Sequence, residues 1–235
     1  MGSFVLHLLF DLAALVVAVV AGFVVYRGAF PSEYKHPAVA GHRHYAITLS
    51  VGSLFGATLL GTLNLHVSGI PGIGRSILGA ILGAVVAVEW YKARHGLRES
   101  TGAVLVIPLA FGIAVGRVGC FLAGMTDYTY GTATDLPWGW DFGDGVTRHP
   151  VQLYESLSML LTACVFFLFL LRRPQLAMSR GFYLFAGWYG LQRFGLEFLK
   201  PYEGLIGSLN VFHLGTLLLM AYALYMLRGI QYAQS

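Results

Sequence analysis

The chain has 235 residues, of which 57% are hydrophobic and only 11% are charged, whereas a soluble domain carries about a quarter charged residues. This composition excludes a soluble enzyme with a single membrane anchor and indicates a polytopic membrane protein. The formal net charge of +4 does not indicate nucleic-acid binding, because the basic residues are spread over short loops and form no basic stripe.

Seven apolar segments are long enough to cross a hydrocarbon core of about 30 Å, which takes roughly 20 residues. In chain order they are residues 4–26, 44–66, 76–93, 102–123, 150–171, 181–200 and 210–228. Apolar runs also form buried helices in soluble proteins, but this many in one short chain would leave no polar faces for water. We therefore predict an all-α protein with seven transmembrane helices in a single domain, residues 1–235.

The distribution of lysine and arginine predicts the orientation, because cytoplasmic loops carry the excess of these residues. The loops on one side hold Arg27, Lys35, Arg43, Lys92, Arg94, Arg98, Arg172, Arg173, Arg180 and Arg228. The loops on the other side hold only Arg75, Arg148 and Lys200. The prediction is an N-terminus outside, in the periplasm, a C-terminus in the cytoplasm, and a long outward loop at about 124–149.

Ionisable residues gather in the outer half of the predicted bundle. Arg117 lies in the fourth segment, roughly 10 Å below the outer surface at 1.5 Å per residue. Tyr189, Arg193 and Glu197 follow at i, i+4 and i+8 on one helix face, and the fifth segment opens outside with "RHPVQLYES". Two arginines near the headgroup level suit a phosphate, which their fork geometry matches. We expect a site for an anionic phospholipid headgroup in the outer leaflet.

A structural explanation competes with this functional one. Arg193 and Glu197 are spaced to form a simple intrahelical ion pair, and Arg117 is long enough to snorkel towards the surface. Charges at this depth cost a few kcal/mol each and normally face a bundle interior or a wet cavity. Because both arginines lie at the level of the "RHPVQLYES" segment, we favour the functional explanation for them.

Cys120 is interpreted as a small packed residue, and no metal or cofactor is predicted.

Four motifs occur in order and together resemble the prolipoprotein diacylglyceryl transferase family. They are "GRVGCFLAG" at 116–124, "TDLPWG" at 134–139, "RHPVQLYES" at 148–156 and "WYGLQRFGLEF" at 188–198. The resemblance implies a bacterial inner-membrane enzyme that transfers the diacylglyceryl group of phosphatidylglycerol to the lipobox cysteine of a prolipoprotein and releases glycerol phosphate. It also implies the site residues. Arg117, Arg193, Glu197 and Tyr189 match catalytic positions of the motifs, and Gly131, Arg148, His149, Gln152, Tyr154 and Glu155 match substrate-binding positions.

The sequence also departs from the family pattern. Cys120 stands where the family has asparagine, Met125 stands where it has an acid, and the third segment, "GRSILGAILGA", lacks the family's candidate base histidine. Two interpretations remain open. The first is a divergent transferase with another base, such as His7, His66 or His213, or another acceptor. The second is a phospholipid-binding or lipid-handling membrane protein that uses the same scaffold without transferase chemistry.

Overall fold

A computed structural model describes residues 2–30 and 43–234 of the chain. Within these ranges the fold is helical, with one short hairpin. The helices are α1 (Gly2–Gly28), α2 (Arg43–Val67), α3 (Ile77–His95), α4 (Val106–Ala123), α5 (Val151–Arg172), α6 (Pro174–Glu197) and α7 (Val211–Gln234). The strands are β1 (Trp140–Asp141) and β2 (Thr147–Arg148). Each predicted apolar segment corresponds to one helix, although α6 begins earlier and ends earlier than the predicted 181–200.

Five helices are long and apolar enough to cross a membrane. The spanning stretches are Leu8–Gly28, His44–Val67, Ala103–Thr126, Val151–Arg172 and Val211–Ile230. The other two helices, α3 and α6, carry more charge. The last two turns of α3 contain Glu89, Lys92 and Arg94, and α6 contains two arginines and a glutamate. The all-helical membrane class is therefore supported, whereas the count of seven spans and their orientation stay predictions.

The chain divides into two units. The first contains Met1–Phe30, Gly102–Phe185 and Gly195–Pro201, and the second contains Pro31–Thr101, Ala186–Phe194 and Tyr202–Ser235. In the first unit α1 packs against α4, and α4 packs against α5. The hydroxyl of Ser156 donates to the carbonyl of Ala114 at 2.9 Å. This bond fixes the contact between α5 and α4 just one turn before Arg117, so it positions the charged part of α4.

In the second unit α2 and α3 form an antiparallel pair whose backbones touch through glycine. A Cβ added to Gly56 would lie 2.8 Å from the Cα of Gly83, so no larger residue fits at this crossing. Small residues at such contacts are typical of helices that pack in lipid. The N-terminal half of α7 packs on the same pair, with Gly215 beside Leu60 and Leu78.

The loop before α5 is ordered by its own hydrogen bonds. β1 and β2 pair antiparallel, with Trp140 opposite Arg148. One carboxylate oxygen of Asp141 accepts hydrogen bonds from the backbone N–H groups of Gly143, Asp144 and Gly145 at 2.8–3.1 Å. Gly143 adopts a φ of 101°, which a residue with a side chain rarely adopts. These interactions fold part of the loop that we predict to face outward into a tight turn.

Candidate functional site

Four charged side chains form a buried cluster in the first unit. Glu155 on α5 pairs with two cations: Arg117 Nε lies 2.5 Å from its Oε2, and Lys200 Nζ donates a hydrogen bond to its Oε1 at 3.0 Å. Lys200 Nζ also lies 3.9 Å from the Oε2 of Glu197. All four residues are at most 6% exposed. Mutual pairing explains how these charges are tolerated away from water.

The formal charges of this buried cluster cancel. Arg117 and Lys200 contribute two positive charges, and Glu155 and Glu197 contribute two negative charges. An anionic group that enters beside the cluster would therefore meet no net positive charge from these four residues. Stable binding of a phosphate would need a further cation or a rearrangement of the pairs.

Gln152 lies in the first turn of α5, on the side of the helix that carries Glu155 and Ser156, and it is completely buried. Neither its amide oxygen nor its amide nitrogen has a hydrogen-bond partner within residues 2–30 and 43–234. Because Ser156 binds α4 at Ala114, and the two helices run in opposite directions, Gln152 lies towards the same end of α4 as Arg117. The structure thus places the Gln152 amide, which has no hydrogen-bond partner among the described residues, at the depth of the buried cluster.

Arg148 makes its contacts within the hairpin. Its Nη1 donates to the Oδ1 of Asp144 at 2.6 Å and to the carbonyl of Val146 at 2.9 Å, and its guanidinium lies 5.5 Å from the ring centre of Tyr130. The hydrogen bond from Arg148 lowers the pKa of the Asp144 carboxyl. These contacts give Arg148 a role in ordering the loop, while its predicted role in substrate binding stays a prediction.

Gly131, His149 and Tyr154 belong to the base of the same loop. A Cβ on Gly131 would collide with the backbone carbonyl of His149 and lie 2.9 Å from Cγ2 of Val151. The glycine therefore allows two backbone segments to touch. The hydroxyl of Tyr154 accepts from Nε1 of Trp138 at 2.8 Å and lies 3.4 Å from Nδ1 of His149. This arrangement ties the "TDLPWG" segment to the start of α5.

The other two predicted site residues, Tyr189 and Arg193, lie on the part of α6 that belongs to the second unit, and both are buried. The guanidinium of Arg193 lies 5.3 Å from the ring centre of Phe212. The next residue along α6, Phe194, makes an edge-to-face contact with the ring of His213 at 5.0 Å. The structure therefore places a histidine next to the helix turn that carries Arg193.

The three histidines proposed as substitute bases have different surroundings. His66 is exposed at the end of α2, and the side chain of His7 lies outside the described part of the structure. His213 is 1% exposed. Its Nδ1 lies 3.1 Å from the backbone N and 3.0 Å from the Oδ1 of Asn210, which also caps the N-terminus of α7. Asn210 therefore fixes the orientation of the imidazole and directs Nε2 to the opposite side.

Several buried polar residues were not found from the sequence, among them Lys200 and Asn64. The sequence places Lys200 among the outer-loop cations, and it does follow the end of α6 at Glu197, but its side chain is fully buried next to two glutamates. The sequence did contain one indication of this burial: Lys200 follows Glu197 by three residues in the same apolar run, a spacing at which the two charges can pair. Asn64 on α2 is 1% exposed, and its Oδ1 has no hydrogen-bond partner among the described residues. Asn64 is a lone amide residue in an apolar helix, and no motif in the sequence marks it as buried.

A family model described as prolipoprotein diacylglyceryl transferase matches residues 9–228 of the chain. The chain belongs to this family. The match covers nearly the whole chain, so it includes both units and every residue of the buried cluster. The resemblance inferred from the four motifs is thereby confirmed, and the apolar helices fit a multi-pass membrane protein of the prolipoprotein diacylglyceryl transferase family.

Curated relatives carry the corresponding name. The phosphatidylglycerol–prolipoprotein diacylglyceryl transferase of Vibrio vulnificus is 36% identical over 146 residues, which is 59% of this chain and 51% of the relative. The enzyme of the same name from Geobacter sulfurreducens is 36% identical over 151 residues, covering 62% and 56%. That from Vibrio parahaemolyticus is 37% identical over 141 residues, covering 57% and 49%. The chain thus spans about half the length of the curated relatives it matches.

Proposed function

We propose that this protein transfers the diacylglyceryl group of phosphatidylglycerol, or of another anionic phospholipid, to an acceptor thiol. The acceptor is the lipobox cysteine of a prolipoprotein or a different thiol. The thiol sulfur forms a bond to the glyceryl carbon, and the bond from that carbon to the phosphate oxygen breaks. Glycerol phosphate leaves with the electron pair, and the thiol proton passes to a base.

The observation that carries this proposal is the buried pairing of Arg117 with Glu155 in a chain of this family. A guanidinium held by a carboxylate at its Nε edge keeps a fixed orientation, and preorganised cations stabilise the charge that develops on a phosphate leaving group. Arg193 is proposed as the second phosphate ligand because it occupies the arginine position of the "WYGLQRFGLEF" motif. Glu197 is proposed to orient Arg193, one helical turn away on α6.

His213 is the proton acceptor that the geometry supports best. A thiol has a pKa near 8.5 and must lose its proton before it attacks, and a general base has to be held within hydrogen-bond reach of that proton. His213 is buried and lies beside the turn of Arg193. It can accept the thiol proton at Nε2 in the tautomer whose Nδ1–H donates to Oδ1 of Asn210, but not in the tautomer whose Nδ1 accepts from the backbone N–H of Asn210. His66 has no comparable orienting partner among the contacts that the described residues make.

We place the reaction in the outer leaflet of the bacterial inner membrane. The loop lysines and arginines support the orientation, and residues Trp138, Trp140 and Tyr128 of the outward loop are exposed, as expected for an aromatic belt at a membrane interface. A phospholipid would then reach the site laterally, and a secreted acceptor would reach it from the periplasm.

The test is turnover of headgroup-labelled phosphatidylglycerol by purified protein with a thiol peptide as acceptor. Arg193→Ala should lower glycerol phosphate release by at least a hundredfold, because a charge contact to the leaving group is lost, while the protein still inserts and folds. Arg98→Ala, at an exposed arginine, is the matched control and should retain full release. Unchanged turnover in Arg193→Ala would exclude Arg193 as a phosphate ligand.

The non-catalytic alternative gives a different result in the same assay. A lipid-handling protein would bind phosphatidylglycerol without releasing glycerol phosphate, with or without the acceptor peptide. Arg193→Ala would then weaken lipid binding only. In a parallel reaction with acyl-labelled phosphatidylglycerol, transfer of the acyl label to the peptide, with a matching amount of released glycerol phosphate, would eliminate this alternative.

A further inference from the structure

Among the described residues no group forms a hydrogen bond with the amide of Gln152, and the surroundings of this amide indicate what its partner is. We propose that Gln152 determines headgroup specificity by binding a free hydroxyl group of the phospholipid headgroup. This inference rests on the proposed function, because it concerns the lipid that the buried cluster would receive. It adds a chemical reason why one class of phospholipid is accepted and others are not.

The first step of the argument is the cost of leaving this amide unpaired. Gln152 is 0% exposed, and both of its polar side-chain atoms lack a partner in the described part of the chain. More than 90% of buried polar groups in proteins are hydrogen-bonded, and an unsatisfied one costs the full desolvation penalty. An apolar side chain of the same size would avoid that penalty. A buried amide at this position is therefore best explained by a ligand that satisfies it.

The second step is the position of the amide. Gln152 precedes Glu155 by three residues on α5, so their side chains emerge on neighbouring positions of one helix face. Both oxygens of Glu155 are already engaged, one by Arg117 and one by Lys200. A group next to Gln152 therefore meets a carboxylate that is paired within a cluster of no net formal charge. A neutral headgroup fits this environment, whereas a charged headgroup would gain no net attraction from the cluster.

The third step is the hydrogen-bonding chemistry of an amide, which offers one acceptor oxygen and two donor hydrogens. A hydroxyl group both donates and accepts, so the two hydroxyls of a glycerol headgroup can satisfy both ends of the amide. An ammonium group only donates and would leave the amide hydrogens unpaired. A phosphate monoester dianion only accepts and would leave the amide oxygen unpaired. Of these three chemistries, only the hydroxyl-bearing headgroup satisfies Gln152 completely.

The experiment compares two lipids of equal charge. Phosphatidylglycerol is tested against an analogue in which propanol replaces the headgroup glycerol, so that the phosphodiester stays and both hydroxyls are lost. The native protein should prefer phosphatidylglycerol by about tenfold or more in kcat/KM, because a site built to bind a hydroxyl rejects an analogue without it. In Gln152→Leu this preference should fall close to one. Gln175→Leu, at an exposed glutamine of α6, should keep the native preference.

Two results would overturn the inference. One is a native protein that does not distinguish the two lipids, which needs no variant and is independent of folding. The other is a Gln152→Leu protein that keeps the native preference. If the native protein releases neither glycerol phosphate from phosphatidylglycerol nor propyl phosphate from the analogue, the proposed function fails. The preference is then measured as displacement of a fluorescent phospholipid, which tests Gln152 separately.

Discussion

Replacing Lys200 by methionine removes the central cation of the buried cluster while keeping a side chain of similar length. Lys200 Nζ lies 3.0 Å from Glu155 and 3.9 Å from Glu197, and its side chain is 0% exposed. At an effective dielectric constant of 20 the closer pair alone attracts by roughly 5 kcal/mol. Desolvation offsets part of this attraction, but removal of one partner leaves a buried carboxylate uncompensated. We expect a loss of stability of about 3–5 kcal/mol.

Thermal unfolding in detergent measures this change. The expected loss corresponds to a decrease in Tm of roughly 6–20 °C for a chain of this size. Arg98→Met, which removes an exposed cation, should change stability by less than about 0.5 kcal/mol. In a Glu155→Gln background Lys200→Met should cost less, with a coupling of about 1–3 kcal/mol. Equal Tm values for Lys200→Met and Arg98→Met, or fully additive effects with Glu155→Gln, would refute the buried ion pair.

Two further predictions concern the outward loop. Gly131→Ala should expose the loop to protease, since the added Cβ collides with the carbonyl of His149 and crowds Val151; a cleavage rate equal to that of the native protein would contradict this contact. The hydrogen bond from Arg148 holds the pKa of Asp144 below its ordinary value, so its contribution to loop order is present above about pH 4 and is lost as the pH falls through the lowered value. The protection factors of the hairpin amides, which compare the observed with the intrinsic exchange rate at each pH, should therefore fall in that window, and Asp144→Asn should remove the part of the pH dependence that Asp144 contributes.

The candidate site illustrates what residue patterns can and cannot reveal. Arg117 was identified because a guanidinium inside an apolar run needs an explanation, and its partner Glu155 was identified through a motif. Their contact is a property of the packing of α4 against α5, which is fixed by Ser156 and Ala114. The burial of Lys200 was missed because it lies just beyond the end of α6 at Glu197, where a lysine is ordinarily exposed to solvent. Only the packing of this segment against α5 places its ammonium group next to Glu155.

The sequence by itself determined the membrane class, the location of the helical segments and the family, because these depend on hydropathy and on motifs that are local in the chain. The tertiary structure decided which charges are paired, which buried amides lack a hydrogen-bond partner among the described residues and which histidine is held in place by a neighbour. Those properties depend on distances of a few ångströms between helices that are far apart in sequence. A helical period specifies the face on which a side chain lies, but only packing specifies what that side chain meets.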